Sequence, residues 1–366
     1  MYERMRLQIR LRTMIAILLL ANLLVFGSWV VYRQNAITRK LQAIEALDVE
    51  RLLVELVDEK LQIQHVSLHG NEELQRFLEY QQQWGLEDAS VISMGLIDVD
   101  FTLSSSLLTE LSSVNVEEMY FTNCKFERAV PDYFGRAATH AVVLETEFDA
   151  SAFDSFTELN ELSISTCRIP DGLFERLAKN NRQLSSLKIE TLEADTTLEL
   201  TESVIQNIAK LPELSEVTFI GCHAQENSLI YLKNARKLKS LQLVKAHVSD
   251  QHCQDISQVG SLTALNLTKN EITVGGLELL MPLTELRLIG LKENPLGDEE
   301  RAKELLEQFK KLNEIYFDHP ELLVDREDGW SFDMEFFAFK DPLPASEVIP
   351  ALSSRKFRRD RFSGRR

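Results

Sequence analysis

The chain has 366 residues, 44% of them hydrophobic, enough to bury a sizeable core and too apolar for a disordered chain. Its formal charge of −17 is unevenly spread: residues 1–40 hold seven Lys and Arg against Glu3, residues 341–366 hold seven against three acidic residues, and the 26 basic and 53 acidic residues between them carry −27. An acidic body repels nucleic acid and acidic polysaccharide, so no nucleic-acid partner is expected, and basic or mixed-charge protein partners fit better.

In chain order, residues 1–13 are a basic segment with Arg4, Arg6, Arg10 and Arg12. Residues 14–32, MIAILLLANLLVFGSWVVY, carry no charge over a length that spans the bilayer hydrocarbon as a helix, and they read as a transmembrane signal anchor. The rival reading, a cleavable signal peptide, meets an apolar run that is long for one and no A-x-A site after it. Four arginines before the span against Arg33, Arg39 and Lys40 after it orient the N-terminus to the cytoplasm and the remainder across the membrane.

Residues 33–60 hold strong helix formers with Ile37, Leu41, Ile44, Leu47, Leu52 and Leu56 at steps of three to five, which predicts a helical stalk. Residues 61–90, LQIQHVSL followed by NEELQRFLEYQQQW, are expected to form an N-terminal cap.

A repeat then dominates. In LTALNLTKNEI, apolar residues stand at Leu262, Leu265, Leu267 and Ile272, with Asn270 among them. The spacing recurs backward as LKSLQLVKAHV, LSEVTFIGC, LSSLKIETLEA, LNELSISTCRI and VEEMYFTNCKF, and forward as LTELRLIGL and LNEIYFDHP. Weaker copies run through Ala141 and Met94, so the second apolar position falls at residues 94, 119, 141, 162, 187, 217, 241, 265, 286 and 315.

This pattern resembles the leucine-rich repeat family, L-x-x-L-x-L-x-x-N/C-x-L, over about residues 91–320. The resemblance implies an α/β solenoid, a horseshoe in which each L-x-L is a short strand of a parallel concave sheet. It also implies that Asn270, Cys124, Cys167 and Cys222 form a structural ladder that satisfies backbone groups inside the turns. Segments such as GLFERLAK, SVIQNIAKL, GGLELLM and DEERAKELLEQF read as short convex helices, the last like a ribonuclease-inhibitor type of repeat. The cysteines fall in different coils, about 10 Å apart at strand spacing, and are expected to be free. Trp330, Phe332, Phe336, Phe337 and Phe339 are expected to close the array as a C-terminal cap over 321–341, with a disordered basic tail over 342–366.

Little points to catalysis or to a bound metal or cofactor. HVSDQHCQD brings His247, Asp250, His252, Cys253 and Asp255 into nine residues, but matches no zinc spacing and reads as a surface turn with an Asp N-cap. No nucleophile elbow, zinc-protease helix or phosphate-binding glycine loop occurs, and neither an enzyme nor a cofactor is expected. What remains is the concave face. Tyr120, Lys188, Gln242, Asn266, Arg287 and Tyr316 in one outward column, and Ile220, Val244 and Ile289 as exposed apolar groups in the next, compose a surface suited to a protein partner.

The expectation is a single-pass membrane protein of bacterial-envelope style that binds protein with its repeats. The alternative is a receptor-like signalling subunit whose span carries occupancy inward by helix association. The basic tail would meet anionic lipid or envelope polymer, or serve only for solubility.

Overall fold

A short L-x-L strand cannot stand alone; it needs a neighbour on either edge, and an identical coil supplies one. The computed structural model describes residues 51–57, 60–84, 91–102, 114, 116–126, 138–191, 198–312 and 314–316. The elements in order are β1 (Arg51–Val57), β2 (Lys60–His69), α1 (Gly70–Trp84), β3 (Val91–Ile97), β4 (Val116–Thr122), β5 (His140–Leu144), β6 (Glu161–Ser165), α2 (Leu173–Asn180), β7 (Ser186–Glu190), β8 (Glu199–Leu200), α3 (Glu202–Ile208), β9 (Glu216–Ile220), β10 (His223–Ala224), a 3-10 turn (Leu229–Asn234), β11 (Ser240–Val244), α4 (Asp250–Ile256), β12 (Ala264–Asn266), α5 (Val274–Leu279), β13 (Leu288–Gly290), α6 (Glu299–Gln308) and β14 (Glu314–Tyr316). Among the described residues one twelve-stranded sheet runs β1-β2-β3-β4-β5-β6-β7-β9-β11-β12-β13-β14, and β8 and β10 make a separate parallel pair. Strands from β2 onward are parallel, with each coil beside its sequence neighbours. Only β1 runs antiparallel, to β2.

Among the described residues the coils from β6 onward are wound alike. The residue three before each anchor closes a turn onto the residue six before it, as in Leu238 N–H to Ala235 C=O, Leu262 to Val259 and Leu286 to Leu283. The chain then enters the sheet by a forked bond: the Lys239 carbonyl accepts from Thr263 at 2.8 Å and Ala264 at 3.0 Å, and the Thr139 carbonyl from Asn160 and Glu161 at the same two distances. Four residues past the anchor the backbone turns left-handed, at Asp98, Asn123, Glu145, Thr166, Gly221, Lys245, Lys269 and Glu293, with φ between 49° and 71°. That reversal aims each amide at the next coil, as in Asn123 N–H to Leu144 C=O at 2.9 Å. Of these eight positions one is glycine, Gly221, where a Cβ would lie 2.0 Å from the Thr191 carbonyl oxygen.

The core is one spine of fully buried anchors, including Met94, Leu162, Leu187, Val217, Leu241, Leu265 and Ile289. Aromatic rings thicken it where the convex side lacks a helix: Phe148, Phe153 and Phe156 pack edge to face at 5.5 and 5.7 Å. Asn181 replaces an apolar residue in this interior and is wholly buried, its amide donating to the Phe153 and Phe156 carbonyls of the previous coil.

Three expectations change. The stalk proposed over 33–60 is not helical throughout, because Arg51–Val57 and Lys60 are in strands; pairing with β2 outweighs a helix propensity that is only a weak prior. The segment 61–90 contributes β2, which already lies parallel to β3, so the repeated architecture starts one coil earlier than residue 91 and β1 closes its edge. Leu286 is not the ninth anchor: Leu265 pairs with Ile289, which in turn pairs with Ile315. The coils around it therefore span 24 and 26 residues, and the motif reads Leu286-x-x-Ile289-x-Leu291-x-x-Asn294-x-Leu296. The span at 14–32, residues 321–341 and the tail at 342–366 lie outside the described residues. Among the described residues no helix is long and apolar enough to cross a membrane.

Candidate binding surface

Alternation along each strand sends three residues outward, one before the anchor, one after it and one three after it. The register stacks them into columns. The first holds His65, Ser93, Glu118, His140, Glu161, Ser186, Glu216 and Ser240. Sequence reading missed this column altogether, although the same alternation stepped back two residues leads to it. The second contains Tyr120, Val142, Ser163, Lys188, Thr218, Gln242 and Asn266, and the third contains Thr122, Leu144, Ser165, Glu190, Ile220 and Val244.

Side-chain bonds link the columns over β2–β7. The His65 ring bonds Ser93 Oγ at 2.9 Å and Ser67 Oγ at 2.8 Å. Tyr120 donates its hydroxyl to Glu118 at 3.2 Å, His140 Nε2 lies 3.2 Å from Glu161, and Lys188 Nζ lies 3.1 Å from Glu190, which also accepts from Ser165. His65 thus meets two serine hydroxyls, but both are closed to substrate: Ser67 and Ser93 are buried.

The residues chosen from sequence fare unevenly. Lys188 and Gln242 are half-exposed on the face, and Tyr120 stands there nearly buried. Tyr316 is on β14, paired with Gly290. Ile220 and Val244 are in the expected column but are not exposed apolar groups, at 5% and 3% exposure. Their strands are directly paired, and branched side chains stacked at about 4.8 Å cover one another. Asn266 is sunk to 1%, with its Oδ1 accepting from Thr268 N–H. The shifted ninth coil moves two more: Ile289 points inward and is fully buried, while exposed Arg287 leaves the outward column for the rim where chains enter the sheet. Gly290 takes its place, and a Cβ there would lie 2.6 Å from Asn266 Oδ1.

Beneath the face, the turn ladder occupies one position five residues past each anchor. Asn270 accepts from Ala246 and Val248 N–H at 2.9 and 3.0 Å and donates to the Leu243, Leu267 and Thr268 carbonyls. Asn294 repeats this one coil on, accepting from Ile272 N–H and donating to the Leu267 and Leu291 carbonyls, a role hidden by the misplaced anchor. Cys124 and Cys167 donate to the Thr122 and Ser165 carbonyls, and Thr146 stands between them, its Oγ1 accepting from Cys124 N–H. Cys222 donates to the Ile220 carbonyl. All four cysteines are free and buried. Burial pushes Cys124, Cys222 and Cys253 up to about 12 and Cys167 to about 11, so these thiols are held neutral.

The His- and Asp-rich stretch disperses. Ser249, not an aspartate, caps α4, exchanging bonds with His252 Nδ1, while Asp250 reaches to Thr273 of the next coil. His252, Cys253 and Asp255 are buried, and His247 is exposed beside Glu271. Among the described residues no three His, Cys, Asp or Glu side chains gather as metal ligands. A cavity ringed by Phe121, Phe126, Phe148, Phe153 and Phe156 holds about 10 Å³, room for no more than one water.

No protein-family profile matches the sequence, and a comparison with curated proteins gives no match. Among solved structures, an internalin from Listeria monocytogenes is similar at a TM-score of 0.49 and 17% identity, over 70% of this chain and 67% of that one. A Bacteroides fragilis protein is similar at a TM-score of 0.39 and 16% identity, over 68% of this chain and 82% of that one.

Proposed function

We propose that this leucine-rich-repeat solenoid is a non-catalytic binding protein that takes a protein partner on its concave sheet face, held to a membrane by residues 14–32 with the repeats on the far side. The observation that carries this reading is the first outward column, polar or charged in every strand from β2 to β11, whose side chains stand side by side on a scaffold that the turn ladder holds in register. Rigid display keeps the ordering cost of association low. Small-molecule chemistry has less support, since the Ser–His contact is closed and the phenylalanine cavity is water-sized. The uncharged run at 14–32 supports the anchor, and the basic tail at 355–366 supports contact with anionic lipid or envelope polymer.

Photo-crosslinking in cells tests the face. A crosslinking residue at Lys188 or Gln242 is expected to give discrete adducts to a protein, and one at the convex, exposed Glu175 or Lys233 none. Adducts from the convex positions alone would overturn the assignment. Protease added to intact cells should remove the repeats, and full protection would reverse the orientation.

A further inference from the structure

The sheet face is electrically two-sided along its length. Across β2–β7, the outward columns and the two rims carry Asp98, Glu117, Glu118, Glu145, Glu161 and Glu190 against Lys188. Across β9–β13 the same positions carry Lys239, Lys245, Lys269, Arg287 and Lys292 against Glu216 and Glu293. The rim residues Asp98, Glu117 and Glu145, and all five basic residues, are exposed. In a body whose middle region has twice as many acidic as basic residues, a basic half on this face runs against composition.

Resting on the reading of this face as the binding face, we propose that its occupant is a second copy of the chain, docked face to face about a two-fold axis parallel to the strands and near β7. A two-fold interface must be self-complementary, so an acidic and a basic half on one surface are what it requires. The axis direction follows from the charges. Rotation about the row of strands would set each half on its own kind. Rotation about the strand direction sets the acidic half as a whole on the basic half and keeps rim against rim, so that Glu145 just past β5, two strands from β7, faces the copy's Lys245 just past β11, two strands the other way, while next to the axis Glu161 meets Glu216. Farther out, Glu117 and Glu118 on β4, three strands from β7, face β12, whose coil carries Lys269, and Asp98 past the end of β3 comes to the end of β13 that bears Lys292 and Glu293. Ten strands at about 4.8 Å and seven residues at about 3.3 Å give a face of roughly 1,000 Å² per copy, comparable with the ~800 Å² per partner of a specific complex. Long charged side chains at the two rims make the contacts, and such contacts weaken as salt screens them.

Sedimentation equilibrium of the full chain in detergent tests this. One variant reverses the acidic half (Glu117→Lys, Glu118→Lys, Glu145→Lys) and a second the basic half (Lys239→Glu, Lys245→Glu, Lys269→Glu, Arg287→Glu). At low salt the unaltered chain is expected to dimerise, each variant alone to dimerise at least about tenfold more weakly, and an equimolar mixture of the two to recover a heterodimer. Association through the membrane span would persist in both variants, which separates it from the face. Should either reversed chain fail to fold, as judged by circular dichroism, the same positions changed to Gln keep the test, with at least a threefold weakening expected. A chain that stays monomeric at low salt, a dimer untouched by both sets, or a mixture that does not recover association would each overturn the proposal. Those failures leave the broader reading standing if crosslinks from Lys188 or Gln242 reach a different protein, whereas crosslinks only to the same chain would support the dimer and retire the separate partner.

Discussion

A single residue shows how the repeat tolerates strain. Position four past each anchor is left-handed in eight coils, and at Thr166, with φ of 52°, it is filled by a β-branched residue, the type least suited to it. Its hydroxyl is buried and unpartnered as well. Asn123 occupies the equivalent place one coil pair earlier, at φ 50°, and its side chain reaches Asp98 at 2.6 Å. Asparagine accepts this region without the unfolded-state entropy of glycine. Thr166→Asn is therefore expected to stabilise the protein by about 0.5–1 kcal/mol, and Asn123→Thr to destabilise it by a similar amount, read as shifts in urea midpoint at constant slope. Equal or opposite midpoints would show that the turn is not strained. The left-handed position is invisible to hydrophobic pattern, because any polar residue satisfies the pattern there. The anchors themselves were legible wherever one L-x-x-L-x-L could be drawn. In LTELRLIGLKEN two overlap, and only the turn asparagine decides between them, since Asn294 must lie inside to bond the Leu267 and Leu291 carbonyls. The burial of Ile220 and Val244 was equally hidden, for it depends on which residues the neighbouring coil presents.

At the scale of elements, convex helices were readable from apolar residues three and four apart, and GLFERLAK, SVIQNIAKL and DEERAKELLEQF each contain one. What joins one helix to the next was not. Asp250 at the start of α4 accepts from Thr273 N–H at 2.8 Å and from its hydroxyl at 2.5 Å, so one coil's carboxylate orders the residue that caps α5. Gly276 makes room for it, since a Cβ there would stand 2.3 Å from Asp250 Oδ1 and 2.9 Å from Ile272. Gly276→Ala, which helix propensity alone would favour, is expected instead to cost about 1–3 kcal/mol through overpacking. In the Asp250→Ala background the same change should cost less, because the carboxylate it meets is gone, and a double-mutant cycle reads the coupling. Strict additivity would show that the two residues do not meet. The β1 strand illustrates the opposite limit of legibility: RLLVELV satisfies a helical and an alternating pattern together, and only the pairing with β2, a tertiary fact, selects the strand.

For the whole molecule, the strand order decides how damage spreads. Each coil pairs with the coil before and the coil after, and α4 packs on α5 as α2 does on α3, so stability is a sum of coil and interface contributions rather than of one central core. The fully buried Leu265 belongs to the eleventh-to-thirteenth strand region and shares its register with Leu241 on one side and Ile289 on the other. Leu265→Ala opens a cavity and is expected to cost about 2–5 kcal/mol locally. Hydrogen exchange should then rise steeply in β11, β12 and β13 and change little in β3, β4 and β5, whose amides are bonded only within their own neighbourhood. A uniform rise along the sheet would mean that the coils unfold as a single unit. The same nearest-neighbour logic bears on the binding face: a face built from independent coils keeps the shape that docks only while adjoining coils hold register, so Leu265→Ala should weaken association through the Lys245 and Lys269 end while leaving the acidic end folded.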